Sequence, residues 1–301
     1  MSGIPAGSGA SAPSAPLRGG SPLLADGGGR SIAIALLSTV VVFSLIALVV
    51  VNATGWPEFQ QKFLDPKVFA ESLPRIVAKF WVNIQLFLLA EVLILGLGLV
   101  LAVLRSLPGP VFFPVRLLAT LYVDVFRALP GILVIFMLGF GIPGLNIPGV
   151  PKDQFFWAVV TLTLLYSAYV SEVYRAGIAS IHPSQAAAAR SLGLTELQAM
   201  RHVIVPQAVR RVVPPLLNDF IGLQKDTVLV SYIGVVEIFR QSTMLQQARF
   251  NFTPLMATAL VFLVVTIPLA RFTDRLLARE QARRNGGSTA GASRRTGAAR
   301  A

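Results

Sequence analysis

Long apolar runs without charges, separated by short stretches rich in proline, glycine and polar residues, set the pattern of this chain. "SIAIALLSTVVVFSLIALVVV" (31–51) is uncharged throughout. At about 1.5 Å rise per residue, some 20 such residues cross the ~30 Å hydrocarbon core of a bilayer. A secretory signal is shorter and lies nearer the start, so this run reads as a retained transmembrane helix, with cleavage the lesser alternative. Further runs follow at 80–104, within 115–142, at 155–170 and on towards Ile178, within 208–236, and at 254–272. "RSLPGP" (105–110) and "GIPGLNIPGVPKD" (141–153) are breakers between them. The fifth run is interrupted by Arg210, Arg211, Pro214, Pro215, Asp219, Lys225 and Asp226. Its proline pair predicts a local break, and its charges mean that lipid cannot surround it. The pattern predicts an all-α integral membrane protein.

Composition agrees. Hydrophobic residues make up 54% of the 301 positions and charged ones 13%, against about a quarter charged in soluble chains. The absence of cysteine excludes disulfides, thiol chemistry and cysteine metal sites. His182 and His202 are too few for a histidine-built metal centre. The +12 net charge reads first as topology information rather than as nucleic-acid affinity. Arg and Lys are denser around the termini, 105–116 and 175–211 than around 62–79, 152 and 240–249. The richer side is expected to be cytoplasmic, with both termini and the 176–207 loop.

The expected organisation is a disordered cytoplasmic leader (1–30), an extra transmembrane helix (31–51) and an extracytoplasmic connection (52–79). A transmembrane domain (80–275) with a cytoplasmic loop at 183–206 and a basic cytoplasmic tail (276–301) complete it. The leader is rich in Gly, Ser, Pro and Ala and has no core-forming run.

Polar residues inside spans usually face protein or a water-filled cavity. "NDFIGLQKDT" (218–227) therefore reads as a strip lining a path or a subunit contact; alternatively Lys225 and Asp226 pair near a helix end. Asp124 with Arg127, and Glu172 with Arg175, stand three apart on one helix face, where ion pairing is the favoured reading. Glu91 sits mid-span without an opposite charge nearby, beside Asn83 and Gln85, and carries a functional expectation with no assigned chemistry. Gly96 and Gly98 predict close helix packing. No H-E-x-x-H, G-x-S-x-G or P-loop motif occurs, so the chain is not expected to be an enzyme or to hydrolyse ATP itself.

Local signals in 183–206 predict two short helices with a tight turn. Pro183-Ser184 starts the first, with Ser184 as N-cap, and the alanines favour helix to Leu192. Gly193 suits a left-handed terminating position. Thr195 with Gln198 fits a capping box opening the second helix, and Pro206 closes it. The segment is either an amphipathic connector or a docking element for a cytoplasmic partner.

The spacing Ala187-Ala188-Ala189, three residues, Gly193, nine residues, Val203-Ile204-Val205-Pro206 resembles the E-A-A-x3-G-x9-I-x-L-P loop of permease subunits of binding-protein-dependent ABC importers. "YVDVFRALP" (122–130), "SEVYRAGIASI" (171–181) and "PQAVRRVVPPLLNDFIGLQKDTVLVSYIG" (206–234) are similar to further blocks of the polar amino-acid permeases. The four blocks span 120–235, with weaker similarity over 80–275. The resemblance implies a helical bundle of five core transmembrane helices, here with one extra N-terminal helix. It also implies a second permease subunit, identical or different, and cytoplasmic ATP-binding subunits that carry ATP and Mg. An external solute-binding protein would deliver a polar amino acid across a bacterial cytoplasmic membrane. By position, Ser184, Gln185, Ala187, Ala188, Ala189, Arg190 and Gly193 would form the ATPase contact. Asn218, Gln224, Lys225 and Asp226 would border the translocation path. The family's glutamate falls at Ala187, where it would complete a capping box with Ser184. Docking is expected to survive its loss, helped by Arg190 or by charges on the partner. An ion-coupled secondary transporter using Glu91 as proton carrier is the alternative, favoured by internal repeats, of which none is evident.

Overall fold

The computed structural model describes residues 28–298, with side chains from Ile32 to Arg279, so the expected leader lies outside the described residues up to position 27. The chain forms two compact units that divide after Phe59. In the first, α1 (Gly28–Val51) is apolar on every side, with a mean hydropathy of 3.0 over Ile32–Val51 and exposed side chains. The hydroxyls of Ser38 and Thr39 donate back to the Ala35 carbonyl at 3.0 and 2.7 Å. Such local bonds satisfy polar groups where no water reaches. Trp56 and Phe59 stack at 5.6 Å at the start of α2 (Trp56–Phe63).

In the second unit the 52–79 connection proves largely helical: α2 runs on to Phe63, and α3 (Pro66–Ser106) begins well before the apolar run at 80. Asp65 caps α3 by accepting from the amides of Lys67 and Val68 at 2.8 and 3.1 Å, with Pro66 preset for the first turn. The third predicted span is two helices, α4 (Phe113–Ala128) and α5 (Gly131–Phe136), bent by 107° including the turns that follow α5. Pro130 causes the bend by holding Leu129 extended (φ −83°, ψ 139°). A π turn, Met137–Gly141, and α6 (Ile142–Gly144) complete this arm. Then come α7 (Gln154–Ala179), α8 (Pro183–Ser191), α9 (Glu196–Ala199), a π turn at Met200–Ile204 and α10 (Val205–Asp226). A 3₁₀ segment, Thr227–Ile233, leads to α11 (Ile238–Arg249) and α12 (Thr253–Ala298). Among the described residues four helices are long and apolar enough to cross a membrane, and two bent pairs qualify together, so four to six spans fit by length and composition. Each apolar run predicted from sequence lies on one of them.

Two proline expectations fail. Pro214 and Pro215 lie inside an unbroken α10. Their missing N–H groups forfeit bonds only to the carbonyls of exposed Arg210 and Arg211, and packing of Val212 holds the helix on course. Pro206 does not end the second loop helix either. The π turn widens the backbone just before it, with the Val205 amide donating five residues back to Met200, and so makes room for the proline ring.

The α3 helix supplies side chains to each of three buried clusters among the described residues: Leu86, Ala90 and Ile94 with Leu162, Leu223 and Ile233; Leu101 with Val123 and Ala168; Ile76 with Ile238 and Ala257. At Gly98 a Cβ would stand 2.8 Å from Val170, as expected of close packing with α7, whereas Gly96 faces open space and needs no such account. Asn83 ties three segments together. Its amide donates to Thr227 Oγ1 and to Glu237 Oε2, each at 3.0 Å, and its carbonyl accepts from the Ile238 amide at 3.1 Å. Glu237, fully buried, caps α11 by accepting from the amides of Phe239 and Arg240 at 2.9 and 2.7 Å.

Candidate functional site

The loop between α7 and α10 is built by caps rather than by a core. The N-cap of α8 is His182, not Ser184: its Nδ1 accepts from the Ser184 amide at 3.2 Å, and Pro183 takes the first helical position. Proline prefers that position because its missing N–H would be unpaired there anyway. Gln185 therefore holds the third helical position, and a glutamate at 187 would not complete a capping box. At the other end the Gly193 amide donates to Arg190 and the Leu194 amide to Ala189, at 2.9 and 3.2 Å. With Gly193 left-handed at φ +86°, this is the glycine-terminated end the sequence predicts. Thr195 and Gln198 form the expected reciprocal capping box.

Ser184, Gln185, Ala187, Ala188, Arg190 and Gly193 are exposed, but Ala189 is buried. Two leucines that sequence reasoning passed over stand out instead, Leu192 at 83% and Leu197 at 78% exposure.

Beside this loop, α7 and α10 border a cleft of about 440 Å³ lined by Arg127, Tyr169, Glu172, Arg211 and Asp219, among others. The expected Asp124–Arg127 pair does not form; the Arg127 guanidinium lies 6.0 Å from the centre of the Tyr169 ring, a cation–π arrangement. Glu172 does pair with Arg175, and also with Arg105 of α3 at 2.8 Å, a bond joining residues far apart in sequence. Asp219 keeps one carboxylate oxygen buried without a hydrogen-bond partner among the described residues. Asn83 serves Glu237 rather than Glu91.

The 218–227 strip does not share one face. Asn218 and Lys225, seven apart, are both exposed. Gln224 turns inward and accepts from the Thr266 hydroxyl at 3.1 Å, and Asp226 accepts from the Tyr166 hydroxyl at 2.5 Å. Lys225 forms no ion pair with Asp226 among the described residues. Asp219, missed as a site residue, is the acid of α10 that lines the cleft. Among the described residues no cluster of three or more His, Cys, Asp or Glu is placed to hold a metal.

Residues 94–281 match the family model described as binding-protein-dependent transport system inner membrane component. The chain is 38% identical over 188 residues to a probable glutamine ABC transporter permease protein of Bacillus subtilis, covering 61% of this chain and 84% of that one. It is 35% identical over 213 residues to a glutamate transport system permease protein of Corynebacterium efficiens, covering 67% and 92%. A crystal structure of an amino acid ABC transporter with histidines superposes with a TM-score of 0.66 at 30% identity, over 71% of this chain and 98% of that one. The capped loop, the bundle that carries it and these matches coincide along the chain, which belongs to the family of amino-acid ABC transporter permeases, the inner membrane components of binding-protein-dependent transport systems.

Proposed function

We propose that this chain is the transmembrane permease subunit of an ATP-driven importer of a polar amino acid, working with a second permease subunit in a bacterial cytoplasmic membrane. Five core spans (α3; α4 with α5; α7; α10; α12) form the path, and α1 is an additional helix. Both termini and the α8–α9 loop face the cytoplasm. An external binding protein delivers the substrate, and ATP with Mg is held by separate cytoplasmic subunits.

The observation that carries this reading is the α8–α9 loop, capped at both helix starts and presenting Leu192 and Leu197 outward. Its second helix runs without a break from Glu196 to Ile233, so the docking surface and the wall of the mixed-charge cleft belong to one element. Movement of a docked ATPase is thereby passed to the path as a rigid-body shift. The cleft offers guanidinium groups at Arg127 and Arg211 and carboxylates at Glu172 and Asp219, a combination that suits the ammonium and carboxylate ends of an amino acid. Asn218 and Lys225 line the path on the exposed face of α10. Gln224 and Asp226 support it from within the protomer.

Reconstitution in proteoliposomes with the ATPase and binding-protein subunits tests this. Uptake of a labelled amino acid should require ATP on the ATPase side and should fail when Leu192 and Leu197 are both replaced by serine. Uptake that persists without the ATPase subunit overturns the reading. Ala187→Glu addresses the missing carboxylate. Position 187 is exposed and outside the cap, so folding should be unchanged, and any loss of coupling reports a partner groove shaped for alanine.

A further inference from the structure

Of the clefts beside α10, two differ sharply in chemistry. The first is the mixed-charge cleft against α7. The second, about 410 Å³, opens in the seam with α12 and is lined by Val213, Leu217, Leu276 and Leu277 together with Arg210 and Arg279. No acid lines it, and neither arginine has an ion pair or hydrogen bond among the described residues. The two helices run antiparallel here, since Gln224 meets Thr266 further along. Arg210 and Arg279 therefore stand at the same end of the seam, with the aliphatic wall extending from them along both helices.

We propose that this seam binds an anionic phospholipid, with the headgroup phosphate on Arg210 and Arg279 and an acyl chain along the leucine and valine wall. Guanidinium groups match phosphate oxygens through paired N–H donors. A basic pocket between transmembrane helices favours anionic headgroups over zwitterionic ones. Lone arginines at a membrane surface only extend their charge into water. Here two of them, from adjacent helices, converge on one apolar cleft with no acid among its described lining residues. From Arg210 to Leu217 the wall spans roughly 10 Å of helix, deep enough to seat the upper part of an acyl chain. Placing the lipid in the cytoplasmic leaflet rests on the orientation proposed above; the binding itself does not.

Native mass spectrometry of the full chain in detergent, with palmitoyl-oleoyl phosphatidylglycerol or phosphatidylcholine added, tests the site. The expected preference for the anionic lipid is roughly thirtyfold, from two arginine contacts. It should vanish in Arg210→Gln/Arg279→Gln and persist in Arg116→Gln/Arg271→Gln, which removes the same charge elsewhere. Leu276→Trp, which fills the seam and keeps both arginines, should lower retention of both lipids and serves if the double variant fails to fold. Glycerol 3-phosphate should not displace the lipid. Equal retention of the two lipids, an unchanged double variant, displacement by glycerol 3-phosphate, or lipid held only by monomers and lost from permease dimers overturns the proposal. Loss of lipid preference beside intact ATP-dependent uptake removes this site and leaves the importer reading standing.

Discussion

The α3 helix and the α8–α9 loop are held by opposite means. Along α3, side chains such as Ile76, Leu86 and Ile94 are almost wholly buried, and Asn83 fixes three segments through four groups that have no access to water. The loop buries little more than Ala189, Ala199 and Ile181, and is shaped by hydrogen bonds within a few residues of each other. Shape in the first comes from mutual filling of space, in the second from local backbone chemistry. Damage to α3 should therefore appear as lost stability, and damage to the loop as lost coupling in a protein that still folds.

Asn83→Leu is the strongest way to break this contrast. It strands the buried Ile238 amide and takes one hydrogen bond each from the Glu237 carboxylate and the Thr227 hydroxyl, which keep their other partners, and should cost about 3 kcal/mol; denaturation of the purified protein measures it. An unchanged midpoint would mean that water reaches these groups. Gly177→Ala comes next. Its added Cβ would collide with Val212 Cγ2, for an overpacking cost of about 1–3 kcal/mol. Val212→Ala in the same chain should restore part of the loss, since the two sites share one space. Failure of that rescue would refute direct steric conflict. Thr195→Ala, in the loop, should cost about 1 kcal/mol locally, seen as faster exchange of the Gln198 amide with little change in the global melt. Leu197→Ser should move stability by no more than about 0.5 kcal/mol while lowering transport-coupled ATPase activity. A large drop in its melting temperature would show that the leucine supports the chain's own fold.

The same division decides what could be read in advance. Apolar runs located the spans, because burial in lipid needs only length and composition. The Thr195–Gln198 box and the left-handed Gly193 were legible because each involves neighbours. The α8 cap was misplaced by two residues because histidine is an uncommon cap and Ser184 a common one. Glu237 gave no local signal: its meaning depends on Asn83, 154 residues away. The Arg105–Glu172 bond was hidden for the same reason, and Arg127 abandoned Asp124 for a tyrosine ring on another helix. Which residues of 218–227 look outward depended on Tyr166 and Thr266, contacts that no pattern within the segment reveals.

The wide turn at Met200–Ile204 looks like a defect, yet it makes the molecule stiffer. By absorbing Pro206 without a hinge, it leaves Glu196–Ile233 as a single shaft on the order of 50 Å long. Val212 rests against Gly177 part-way along that shaft, so the contact acts as a fulcrum. The arms to Leu197 and to Lys225 are nearly equal in length, so a displacement at one end must swing the other the opposite way by a similar amount.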